Sequence, residues 1–119
     1  MKQHIDLEQL RTIAQKNDYD TFAEFYRLIR NDKNTSYNGI KRFYDRLRSY
    51  ETLGFDKLLS EINIGKLIDI ASEDDSIDIK GYILANTWLV ETKAACYIED
   101  NLVDALFIAM CRVLEVKYE

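Results

Sequence analysis

Apolar positions recur at helical spacing along most of the chain. Ile5, Leu7, Leu10, Ile13 and Ala14 form one stripe, and Asp6 with Gln9 has the spacing of a capping box that opens a helix. Asn17-Asp18-Tyr19-Asp20 breaks this helix. Thr21-Phe22-Ala23-Glu24 reads as a second capping box, opening a helix whose apolar face holds Phe22, Phe25, Tyr26 and Ile29. Residues 31–36 form a polar loop. A third helix starts near Tyr37 with Ile40, Phe43, Tyr44, Leu47 and Tyr50 on one stripe, and Gly54 is placed as its stop. Asp56 is placed to cap a fourth helix containing Leu58, Leu59 and Ile62, which Gly65 interrupts before Leu67, Ile68 and Ala71.

After an acidic break at residues 72–75, the pattern becomes apolar on nearly every face. It predicts a long fifth helix over about residues 77–98, with Tyr82, Ala85, Trp88, Leu89 and Cys96 turned inward. Glu99-Asp100-Asn101 reads as a tight turn. Asn101 and Asp104 are spaced to cap a last helix carrying Leu102, Leu106, Ala109, Met110, Val113 and Leu114. Clean strand-like alternation is confined to Ser76-Ile77-Asp78-Ile79-Lys80. The absence of proline and the presence of only 4 glycines also argue against an all-β fold. The expected architecture is therefore all-α: residues 1–119 as one domain, a bundle of five to six helices with a C-terminal antiparallel helical hairpin as its core.

Composition changes this picture little. A chain of 119 residues with 47% hydrophobic and 31% charged side chains suits one folded domain. The longest apolar stretch, residues 105–111, falls far short of the roughly 20 residues that span a bilayer. The first residues carry acidic and amide groups where a signal peptide has an apolar core. The expected compartment is the cytoplasm, with Cys96 and Cys111 as buried, unpaired thiols on neighbouring helices.

Candidate chemistry is sparse. The single histidine, His4, lies near the chain end and reads as a solvated bystander. No phosphate-binding glycine loop, His–Glu helix motif or paired-cysteine metal motif occurs, so the expectation is no catalysis, no metal and no cofactor. Glu73-Asp74-Asp75 with Asp78 lacks the alternation and late glutamate of a calcium loop, and reads as a solvated cap.

Charge is distributed unevenly. Residues 1–57 hold 11 Lys and Arg against 9 Asp and Glu, whereas residues 58–119 hold 5 against 12, within a formal net charge of −5. The basic groups cluster in residues 26–50, where Arg27, Arg30, Lys33, Lys41, Arg42, Arg46 and Arg48 interleave with Tyr26, Tyr37, Phe43, Tyr44 and Tyr50. Cations beside aromatic faces suit phosphate and base. The run from Thr35 to Leu47, ending near Leu53-Gly54-Phe55, resembles the recognition helix of helix-turn-helix proteins of the winged-repressor kind, over about 30 residues.

Two functions follow as expectations. The first is a small acidic binding protein of immunity or anti-defence type, which inhibits a basic protein, such as a toxin or nuclease, by occluding it. Its contacts are expected at Glu73, Asp74, Asp75 and Asp78, and at Glu99, Asp100 and Asp104. The second is a small nucleic-acid-binding regulator with Lys41, Arg42, Arg46 and Arg48 on phosphate. A non-catalytic assembly adaptor that dimerises through exposed tyrosines is a further option.

Overall fold

Asp6 does what its spacing to Gln9 predicts. Its carboxylate accepts the Gln9 amide, and the Gln9 side chain accepts the Asp6 amide in return, opening α1 (Leu7–Lys16). In the computed structural model, which describes residues 2–31, 36–73, 77–82, 86–93 and 95–118, five further helices and three strands follow.

The second helix, α2 (Tyr19–Arg30), starts earlier than Thr21, because Asp18 is its cap and accepts the Thr21 amide at 2.8 Å. The third, α3 (Tyr37–Arg48), is capped by Ser36. It stops at Ser49 rather than Gly54. Tyr50 has already left the helix at φ 62, and carbonyls in and beyond the last turn are taken by arginines: Arg11 donates to Leu47 and Glu51, and Arg46 to Leu53. Gly54, at φ 87, serves a later turn, where a Cβ would lie 3.1 Å from the Arg46 guanidinium.

The break between α4 (Asp56–Glu61) and α5 (Ile64–Ala71) falls at Ile62–Asn63, not at Gly65. Asn63 caps α5 through the Lys66 amide, whereas Asp56 lies inside α4, whose own cap position is Phe55. The N-terminal residues stitch this break together, since Ile5 donates to the Ile62 carbonyl and Ile64 donates to that of Gln3. His4 is therefore bridged to Asn63 and half-buried rather than fully solvated. Its Nδ1 donates to the Ile5 carbonyl at 2.7 Å.

The all-α expectation is overturned between α5 and the last helix. The chain there forms β1 (Asp78–Tyr82), β2 (Thr87–Glu91) and β3 (Cys96–Glu99), an antiparallel sheet in the order β1-β2-β3. The fold is mixed, with helices plus a small sheet. A residue sequence of Ile, Tyr, Trp, Val and Tyr fits a pleated surface better than a helix, and Gly81 would weaken a helix interior by about 1 kcal/mol. Asn86 takes the left-handed conformation at φ 49 that turns the chain into β2. Thr92 closes the next hairpin by donating to the Ala95 carbonyl at 2.8 Å. The short alternation at residues 77–80 was thus the true signal, and the apolar run behind it is a sheet with one covered face. Ser76, Ala85 and Lys33, assigned to elements above, lie outside the described residues.

The last helix, α6 (Leu102–Val113), opens as expected, with Asn101 accepting the Asp104 amide. The chain does turn at Asp100, but what turns back on α6 is a strand, not a helix. Eight of its residues are buried, from Leu102 to Cys111, because α5 covers one side and β2 with β3 covers the other. Val90 is fully buried on this inner sheet face, with Trp88 and Tyr97 packed partly against the core. Trp88, expected deep inside, is half-buried and lies across Gly81, its partner on β1. Cys96, expected in the core, is exposed, while Cys111 is buried.

Candidate functional site

The N-terminus of α1, the start of α6 and the end of β3 meet around one polar cluster. Gln9, buried despite its amide, is its centre. Its Nε2 donates to Asp104 at 2.8 Å, and its Oε1 accepts from Lys2 and from the Asp6 amide, each at 3.0 Å. Lys2 also pairs with Asp104 at 2.8 Å and Asp6 at 3.0 Å. Burial would lower the Lys2 pKa, but the two carboxylates outweigh it and raise it. Burial likewise pushes the Asp6 pKa upward, and the Gln9 amide and Lys2 together bring it below the usual value. Asp104 is therefore tied into the structure, which a sequence pattern could not disclose.

Above this cluster lies a hollow of about 380 Å³, lined in part by Glu8, Glu99, Asp104 and Tyr118. Glu8, Glu99 and the neighbouring Asp100 have no ion pair among the described residues. Glu8 and Asp100 are exposed, and Glu99 is half-buried. Sequence reasoning singled out Glu99 and Asp100 but missed Glu8, whose place beside them depends on how α1 packs on α6.

The other expected acidic cluster is separate. Glu73 is exposed past the end of α5, beside a groove shared with Glu24, Arg27 and Lys66. Asp78 begins β1 opposite Glu91, at the end of the sheet away from Glu99. Two strand spacings and three residues of rise put Asp78 and Glu99 roughly 14 Å apart on ideal geometry. Asp74 and Asp75 lie outside the described residues.

The basic stripe is largely engaged within the protein. Lys41 pairs with Asp45 at 3.3 Å and lies over the Tyr19 and Tyr44 rings. Arg46 pairs with Glu51 and stacks over Phe55, and Arg48 donates to the Tyr44 hydroxyl at 2.7 Å. Arg42 has no ion pair, hydrogen bond or ring contact among the described residues. Of the interleaved aromatics, Tyr26 and Tyr44 are buried, while Tyr37 and Tyr50 are exposed.

Next to the acidic hollow a second, larger concavity of about 610 Å³ runs between β3 and α6, and Glu99, Ile108 and Tyr118 line both. Among the described residues no group of three or more His, Cys, Asp or Glu side chains is placed to hold a metal ion, and no helix is long and apolar enough to cross a membrane. No protein-family model matches the chain, and neither a curated protein nor a solved structure matches it.

Proposed function

We propose that this protein is a non-catalytic binder that occludes a basic protein partner, in the manner of an immunity or anti-defence inhibitor, and that it works in the cytoplasm. The observation that carries this reading is the trio Glu8, Glu99 and Asp100. Glu8 and Glu99 line a hollow, Asp100 follows Glu99 in the chain, and none of the three has an ion pair among the described residues, whereas three of the four cations expected on phosphate, Lys41, Arg46 and Arg48, are already engaged. Unpaired charge is the kind that steers a partner and keeps its field in solution, while an intramolecular pair has largely cancelled its own. The two unpaired thiols suit a reducing compartment.

The test is capture on the immobilised protein from cells of its source at about 0.15 M salt, followed by titration of whatever protein is retained. A single basic protein is expected. Its affinity should fall at least about tenfold for the triple variant E8Q/E99Q/D100N, with slower association. Equal affinity for the variant, or retention of nucleic acid in place of a protein, would sink the reading.

A further inference from the structure

The sheet has two open edges, and they are not equivalent. Along β1 every residue is exposed. Along β3 the edge faces the concavity of about 610 Å³, which is floored by Ile108, Cys111 and Val116 and closed at one end by Arg112. That volume falls within the roughly 300–1,000 Å³ of ligand sites.

The hydrogen-bond phase of the sheet decides which backbone groups look into that space. Thr92 and Ala95 are a bonded pair, so bonded pairs alternate from there through Val90–Tyr97 and Trp88–Glu99. Cys96 and Ile98 fall on the alternate positions. Their N–H and C=O groups point away from β2, toward the open edge, with no partner among the described residues. Natural proteins blunt such edges with Lys, Pro or a bulge. The residues Cys96, Tyr97, Ile98 and Glu99 supply no Lys or Pro, and Ile98 is 62% exposed.

Charge is graded along the same groove. Glu99 and the adjoining Glu8 stand at one end and Arg112 at the other. The nine residues of α6 from Asp104 to Arg112 span about 12 Å at helical rise, close to the roughly 10 Å from Cys96 to Glu99 along the strand. The acidic end and the backbone edge are thus in step.

We propose that the β3 edge is a docking track for an extended segment of the partner, which adds as a fourth strand. It bonds Cys96 and Ile98 through its backbone, lays apolar side chains on Ile108 and Val116, and sets a Lys or Arg against Glu99 and Glu8. This rests on the binder reading in taking the partner to be basic. It adds that recognition is by strand addition, where main-chain bonds give affinity and alternate side chains give selectivity.

The probe is a phage-displayed library of random nine-residue peptides, selected on the intact protein and on Ile98→Pro. Proline at this position removes an N–H that faces the open edge while leaving pairing to β2, the one placement a strand tolerates. The expected result is enrichment of peptides that alternate apolar residues and carry Lys or Arg. Their binding should be lost on Ile98→Pro and weakened about tenfold on E8Q/E99Q. Circular dichroism of Ile98→Pro checks its fold. Should that variant fail to fold, amide hydrogen exchange of the unaltered protein replaces it, with the selected peptide slowing exchange at Cys96 and Ile98.

No enrichment, binding indifferent to Ile98→Pro, or unslowed amides at Cys96 and Ile98 overturns strand addition. Concentration-dependent self-association that Ile98→Pro abolishes also overturns it, since a second copy would then be the occupant. The charge variant tests the binder reading and the proline variant tests the edge. Loss of affinity for the retained partner on the first alone leaves an acidic binder that docks elsewhere.

Discussion

Each polar group of the buried Gln9 side chain has a partner: Lys2 and the Asp6 amide on the oxygen, Asp104 on the nitrogen. Gln9→Ala removes half of a capping box and leaves Asp104 and Lys2 short of a bond. A loss of about 1–3 kcal/mol is expected in urea unfolding, with the helical spectrum retained. Gly81 meets a different constraint. A Cβ there would approach the Trp88 ring at 3.1 Å. Gly81→Val should therefore destabilise by about 1–3 kcal/mol and shift the emission of Trp88, the sole tryptophan. The two thiols separate by environment. Burial pushes the Cys111 pKa up to about 12, while Cys96 is exposed. Iodoacetamide at pH 8 should modify Cys96 in the native protein and reach Cys111 only on unfolding, which peptide mass mapping resolves.

At the scale of elements, the caps were legible where one side chain serves one nearby amide. Asp6 with Gln9 and Asn101 with Asp104 are local, and both stand where the pattern put them. Legibility failed where tertiary partners intervened. The end of α3 depends on Arg11, 36 residues before the carbonyl it reaches at Leu47. The join of α4 and α5 depends on the N-terminal residues that pair with it. The same Lys2–Asp6–Asp104 linkage makes stability respond to pH in a defined sense. The Asp6 pKa lies below its ordinary 3.8, so its stabilisation is present above that value and is lost as pH falls through the folded one. The Lys2 pKa is raised above 10.5, so its share is present below that value and is lost as pH rises through the folded one. Thermal melts should be flat between these limits and fall on either side. In Asp104→Asn, which removes the larger of the partners that raise Lys2, the alkaline fall should weaken.

For the whole molecule, the proposed binding surface is an assembly of distant parts. Glu8 comes from α1, Glu99 from β3 and Ile108 from α6, and α6 itself is covered by α5 on one side and strands on the other. The acidic field proposed to draw a basic partner comes mainly from the C-terminal half, with Glu8 added from α1, so its effect on association should diminish steeply with salt. A stopped-flow series from low to about 0.15 M salt on the captured partner measures this, and a flat response would argue against steering. Local pattern by itself determined the helical stripes of α1 to α5, apart from their bounds and the point where α4 and α5 part, the apolar last helix, and the acidic bias of the second half, because each is written in spacing or composition. Only the tertiary structure decided that Asp78–Tyr82, Thr87–Glu91 and Cys96–Glu99 are strands. An apolar run with little periodicity fits a buried helix or a sheet equally well, and packing on α6 selects the sheet. It also decided which charges remain unpaired: Asp104 and Arg46 are held by residues far along the chain or around a turn, whereas Glu8 and Glu99 meet beside a hollow that no single segment contains.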